Sequence, residues 1–140
     1  MIDLVLRTDY HYWVARISKK HKAVMAALAS AQGPMSATEL LAKLSEGKPD
    51  SGIGIATIYR SLKLGVEEGR LVAVELESGA IRYEPADLEH HHHFLCVECS
   101  RAFDLKGCVS DLEDLLPAGF EMTSHEVLLH GKCQECRRAG

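Results

Sequence analysis

The chain reads as a two-part α+β protein, and three observations carry that reading. Helix-periodic apolar residues fill much of the first half, an alternating stretch with a turn at its centre closes that half, and two Cys-x-x-Cys pairs punctuate the second. These predict three helices and a two-stranded hairpin within residues 1–84, a hinge at 85–89 and a small α/β unit at 90–140 held by structural zinc on four cysteines. With 140 residues, 46% hydrophobic and 26% charged, the composition is ordinary for a soluble protein. No apolar run approaches the roughly 20 residues of a membrane span. The opening Met-Ile-Asp-Leu-Val-Leu-Arg lacks a signal-peptide layout, so a cytoplasmic protein without a membrane partner is expected.

The net charge of −4 taken alone argues against nucleic acid as a partner, but the charge is unevenly spread. Residues 1–83 hold 11 Lys+Arg against 9 Asp+Glu, and residues 84–140 hold 5 against 11. Phosphate contact depends on local patches, so a binding face in the first half and an acidic, metal-hungry second half are compatible.

Tyr10 to Arg16 predicts a short helix in which Trp13 packs rather than reacts. A clearer helix follows from Ser18 to Ala31, with Ala23, Val24, Ala27, Leu28 and Ala31 on one face, and Gly33-Pro34 ends it. Ser36-Ala-Thr-Glu39 is a capping-box sequence opening a helix whose apolar stripe is Leu40, Leu41 and Leu44. A loop over Gly47 to Gly54 leads to a third helix, Ile55 to Glu68, with Ile55, Ile58, Leu62 and Val66 inward and Gly69 suited to its C-terminal cap. Thr57, Tyr59, Arg60 and Lys63 lie largely off that stripe and suit phosphate and base-edge contact. Leu71 to Glu77 and Ala80 to Glu84, joined at Ser78-Gly79, form a hairpin. Three helices followed by a hairpin make a winged helix-turn-helix, whose last helix ordinarily enters the major groove of DNA.

Past the Pro85 to Glu89 hinge, Phe94 to Val97 and Ala102 to Leu105 predict short strands around a Cys96/Cys99 knuckle. Ser110 to Leu116 predicts a helix stopped by Pro117, and Glu121 to His130 a strand leading into Cys133 and Cys136. About 55 residues bury little apolar surface, whereas zinc on four thiolates is worth roughly 10–16 kcal/mol of folding free energy. Cys96, Cys99, Cys133 and Cys136 are therefore read as a structural zinc site, and Cys108, the odd fifth cysteine, as a small buried residue.

Such a site leaves no vacancy for His90, His91, His92 and His93. In a strand His91 and His93 point one way while His90 and His92 point the other, so two further sites are possible. Glu84, Asp104, Asp111 and His125 are the other candidate ligands, and histidine with carboxylate suits Fe(II), Mn(II) or Zn(II).

The pattern resembles the ferric uptake regulator family of metal-dependent bacterial repressors from about Tyr10 to Cys136. The motifs that carry the resemblance are Ile55-Ala-Thr-Ile-Tyr-Arg60, the run His90 to Cys99 and Gly131-Lys-Cys133-Gln-Glu-Cys136. The resemblance implies a winged-helix domain, a hinge and an α/β dimerisation domain, in a homodimer that binds a palindromic double-stranded DNA operator. It also implies a regulatory metal, Fe(II) ahead of Mn(II) or Zn(II), at Glu84, His91, His93 and Asp104, and a second site at His90, His92, Asp111 and His125. Metal at the hinge would promote operator binding and control metal-homeostasis genes, with peroxide or zinc sensing as alternatives within the family. Two departures stand out. The family usually places a histidine where this chain has Pro34, for which His11 or His21 could substitute, and its Thr-x-Gln-Arg stretch is here Ser18-Lys-Lys-His21.

Two other classes compete. Zinc deaminases also use Cys-x-x-Cys, but they need His-x-Glu ahead of a Pro-Cys-x-x-Cys and an open zinc position, so an enzyme is not expected. A winged-helix interaction module with constitutive zinc and no sensing is the third reading.

Overall fold

The computed structural model describes residues 19–48, 52–77 and 80–140. The predicted helix at Tyr10 to Arg16 and the Ser78-Gly79 turn lie outside the described residues, as does His11. The chain divides into two units, one of Met1–Ala31 with Met35–Ala86, the other of Gln32–Pro34 with Asp87–Gly140.

In the first unit, helix α1 covers residues 19–29, α2 spans Ala37–Ser45 and α3 spans Ile55–Glu67. Strands β1 (Leu71–Glu75) and β2 (Ile81–Pro85) pair antiparallel, with Leu71 opposite Pro85 and Glu75 opposite Ile81. Met35 adds a one-residue bridge to Tyr83, exchanging N–H···O bonds of 3.0 and 2.9 Å. This is a winged helix-turn-helix.

Its core follows the predicted stripes in part. Val24 and Leu28 of α1, Ala37 and Leu40 of α2, Ile58 and Leu62 of α3, and Leu71 of β1 are buried together. Each large side chain in this set contributes about 1.5–3 kcal/mol of burial. On α3 the buried face is Ile58, Ser61, Leu62 and Gly65, while Ile55 and Val66, expected inward, are exposed. Two contacts explain the turn of the helix. The Ser61 hydroxyl bonds the buried His21 ring at 2.5 Å, and Gly65 lets the α3 backbone approach Leu71 so closely that a Cβ would lie 2.5 Å from its Cδ1. Gly69, with φ +71°, follows the C-terminal residue Glu68 as the cap requires.

The capping box of α2 forms: Glu39 N donates to Ser36 Oγ at 3.2 Å and Ser36 N to Glu39 Oε2 at 2.8 Å. Glu39 has a second task that its capping role did not reveal. Arg82 points inward from β2 and donates to Glu39 Oε2 at 2.6 Å, while Ile81 beside it is exposed, the reverse of simple hydropathy alternation.

The second unit holds a three-stranded sheet in the order β4-β3-β5, from β3 (His92–Cys96), β4 (Ala102–Leu105) and β5 (Leu128–Gly131). β4 runs antiparallel to β3 and β5 parallel to it. The predicted Ser110 to Leu116 helix is a single 3-10 turn, Leu112–Leu115, and the predicted ten-residue strand shortens to β5. Asp111, with φ +68°, starts the 3-10 turn in a left-handed conformation that does not propagate a longer helix. A short helix α4 (Gln134–Ala139), not foreseen, follows Cys133. Gln32–Pro34 belongs to this unit: Gln32 O accepts from Asp104 N at 2.7 Å, and a Cβ on Gly33 would sit 2.2 Å from Ala102 O.

Because Glu39 both caps α2 and holds a buried guanidinium, Glu39→Ala is expected to lower the stability of the winged-helix unit by about 1–3 kcal/mol, more than Ser36→Ala at about 1 kcal/mol. Denaturant unfolding of the full-length protein measures both, and equal effects would mean that the Arg82 contact adds nothing.

Candidate metal centres

β3 sets the positions of the candidate ligands. Its C-terminal residue Cys96 pairs across with Gly131 of β5, so the chain leaving β5 delivers Cys133 and then Cys136, in the first turn of α4, beside the Cys96 to Cys99 turn. Gly131 leaves room there for the Phe94 ring, which a Cβ would meet at 3.1 Å. Cys96 O accepts from Ser100 N at 2.9 Å, and Ser100 adopts φ +62° to close the knuckle. The four sulfurs lie within 4.8 Å of one another.

The surroundings are built for thiolates. Backbone N–H groups of Cys99 and Cys133 pull the Cys96 thiol down to about 6, and the backbone at Cys136 lowers Cys133. Cys136, crowded by Cys133 and partly desolvated, is pushed up to about 12, so a bound cation would be needed to ionise it near neutral pH. Arg101 donates to Cys99 Sγ at 3.5 Å through Nε and to Cys133 Sγ at 3.8 Å through Nη2, and Nη2 also meets Glu135 at 2.7 Å. Those sulfur contacts raise the Arg101 pKa further. Sequence reasoning missed Arg101. Its only signal was a lone cation two residues past the knuckle.

The histidine run splits as strand alternation requires. His91 and His93 face Asp104: the two Nε2 atoms are 3.1 Å apart and lie 3.5 and 3.6 Å from Asp104 Oδ1. His93 is opposite Asp104 across the β3–β4 ladder, whose register thus fixes the pair. His91 Nδ1 donates to Glu89 O at 2.7 Å, a tautomer that presents the Nε2 lone pair to a cation. Glu84, the other residue expected in this set, is buried on β2 of the first unit. His21 Nδ1 bonds the Ser61 hydroxyl, and its Nε2 is 3.8 Å from Glu68.

On the opposite side His90, His92 and His125 converge, but with Cys108 in place of the expected Asp111. Cys108 Sγ is 2.8 Å from His125 Nε2, 3.4 Å from His92 Nε2 and 3.8 Å from His90 Nε2, and His90 and His125 Nε2 are 3.0 Å apart. The Asp111 carboxylate is outside the group because its residue opens the 3-10 turn and accepts from Ser110 Oγ at 3.1 Å. Cys108 is exposed, not the small buried residue expected. Burial, then the neighbouring His90 and His125, depress the His92 pKa.

A profile of the ferric uptake regulator family matches residues 14–136. The chain belongs to that family. Members of this family are metal-responsive transcriptional regulators and not enzymes. The ferric uptake regulation protein of Campylobacter upsaliensis is 27% identical over 124 residues, covering 86% of this chain and 80% of the relative. The Vibrio cholerae ferric uptake regulator structure superposes with TM-score 0.61 at 27% identity, over 81% of this chain and 88% of that one. A zinc-bound manganese uptake regulator gives TM-score 0.68 over 81% and 86% of the two chains, and at 23% identity this likeness concerns the fold alone. No helix among the described residues is long and apolar enough to cross a membrane.

Arg101 donates to two of the four sulfurs, so Arg101→Leu is expected to speed loss of a metal ion bound there to a chelator by roughly 10–100-fold, with Arg101→Lys between. A chromogenic chelator assay on full-length protein reads this, and an unchanged rate in Arg101→Leu would contradict it.

Proposed function

We propose that this regulator is a homodimeric, DNA-binding repressor of metal-homeostasis genes, acting in the cytoplasm on a palindromic operator and switched by a divalent metal at His91, His93 and Asp104. The observation that carries the reading is the meeting of two imidazoles and one carboxylate on paired strands. A two-histidine, one-carboxylate set suits Fe(II), with Mn(II) as the nearest competitor. Glu84, two residues before the first unit ends at Ala86, is assigned as a further ligand. A metal holding residues of both units selects one orientation of the DNA-binding units, and in a dimer that decides whether two recognition helices reach half-sites about 34–36 Å apart. By linkage, the metal is held more tightly when operator is bound.

Zinc is assigned to Cys96, Cys99, Cys133 and Cys136 as the structural ion, because thiolates at this spacing match its tetrahedral preference. Dimerisation is assigned to the second unit, which leaves Leu115, Phe120 and Leu129 at least half exposed while burying little apolar surface of its own. Such exposed apolar residues favour a self-complementary partner.

DNA contact is assigned to α3. Tyr59, Arg60 and Lys63 are exposed and Thr57 is partly so, with Arg60 Nη2 3.4 Å from Thr57 Oγ1. That face opposes the buried Ile58 and Leu62, so changing it leaves the core intact.

Operator binding at saturating Fe(II) or Mn(II) is expected to fall to the metal-free level in Glu84→Ala/His93→Ala, while the four-cysteine zinc stays at one per chain. Unchanged operator affinity in that double variant overturns the hinge-metal assignment. Arg60→Ala is expected to cost about 1–3 kcal/mol of operator affinity, and Lys63→Ala to reduce the salt slope by about 1, with metal binding unaltered in both. Fluorescence anisotropy across a salt series reads both effects.

A further inference from the structure

The two faces of the histidine run offer cations different chemistry. His91 and His93 meet an oxygen, whereas His90 and His125 meet the sulfur of Cys108. Thiolate with imidazole favours zinc and similarly soft ions, while a carboxylate beside imidazoles keeps harder Fe(II) and Mn(II) competitive. Tetrahedral zinc, with Zn–N about 2.0–2.1 Å and Zn–S about 2.3 Å, separates neighbouring ligand atoms by roughly 3.3–3.6 Å. The separations of 3.0, 2.8 and 3.8 Å among His90 Nε2, His125 Nε2 and Cys108 Sγ lie around that range.

His92 completes the group in a different way. Its Nδ1 accepts the Val127 N–H at 3.1 Å, so a neutral ring carries its proton on Nε2, which lies 3.4 Å from the same sulfur. An Nε2–H so placed points at the Cys108 sulfur and orients it toward His90 and His125.

We propose that His90, Cys108 and His125 form a thiolate-containing zinc site, supported by His92 and distinct in metal preference from the iron- or manganese-type set at His91, His93 and Asp104. The chain then carries three metal centres of graded softness: four sulfurs, two nitrogens with one sulfur, and two nitrogens with an oxygen. This deepens the regulator reading and rests on it for its purpose, since a regulator with this site answers to zinc as well as to a harder ion.

The test uses full-length protein already holding one zinc per chain at the four cysteines, titrated with Co(II) as a spectroscopic stand-in for zinc. Thiolate-to-cobalt charge transfer in the near ultraviolet is expected in the wild type and in His93→Ala, and is expected to vanish in Cys108→Ser and in His90→Ala/His125→Ala. In competition with Mn(II), the affinity for zinc beyond the first equivalent is expected to drop at least 10–100-fold in Cys108→Asp, roughly the range lost with even a supporting group. Zinc content of each variant checks that the four-cysteine site, and hence the fold, is intact. A wild type lacking the charge-transfer band, or a Cys108→Ser variant keeping it at full intensity, overturns the proposal. Operator binding measured in parallel separates the two readings: a cobalt–thiolate band with no metal-dependent operator binding sustains this site and removes the regulator function.

Discussion

Period-two alternation along one short strand is the constraint on which the second unit depends. From His90 to Cys96 the chain sends side chains to opposite faces in turn, so one run of ring nitrogens becomes two separate clusters and ends at a thiol. A one-residue slip of β3 against β4 would uncouple His93 from Asp104 and carry Cys96 away from Gly131 and the cysteines beyond it. Ligand geometry and sheet register are therefore the same quantity here. A cation bound at any of these clusters would stabilise the register that makes its site.

That dependence follows from how little else holds the second unit. The first unit buries a contiguous apolar cluster from three helices and a strand. In the second unit the buried apolar residues are Pro34, Leu95, Cys96, Ala102 and Cys133, and two of these are candidate metal ligands. The apolar burial of the other three side chains is small against the roughly 10–16 kcal/mol that a structural zinc on four thiolates would supply. Arg101 works in the same direction, since a guanidinium shared between two sulfurs and Glu135 joins the knuckle to α4.

The sequence was most legible where periodicity and chemistry coincided. The α2 stripe and capping box, α3, the hairpin strands, β4 and the four cysteines all had a local signature, and the structure has them. The turns of the second half were less legible for a physical reason. Ser110 to Leu116 and Glu121 to His130 carry the right apolar spacing, but Asp111 in a left-handed conformation and sparse tertiary packing leave one 3-10 turn and four strand residues. Arg82 escaped notice because its carboxylate partner Glu39 lies 43 positions away, and nothing local on the strand marks an inward cation. Cys108 escaped for a similar reason: nothing local marks a thiol as the neighbour of His125, 17 residues on. Asp111 offered a more conventional oxygen ligand, and only the backbone path through the 3-10 turn decides between the two.

The exchange of a carboxylate for a thiol also changes what one strand can distinguish. Two sites that share β3 cannot be filled independently if either cation adjusts the strand, and whatever free energy couples them acts equally in both directions. With oxygen ligands at both, one metal would fill both in the order of its concentration, and the pair would report a single quantity. With sulfur in one and oxygen in the other, the site chemistry separates a borderline-soft ion from a harder one, although Irving–Williams ordering still favours zinc over iron and manganese at nitrogen-rich sites. On the proposed assignments, selectivity at the oxygen-bearing set would depend on zinc being taken up first by the sulfur-bearing centres. A thiol at position 108 would then protect the reading at His91, His93 and Asp104 without touching it.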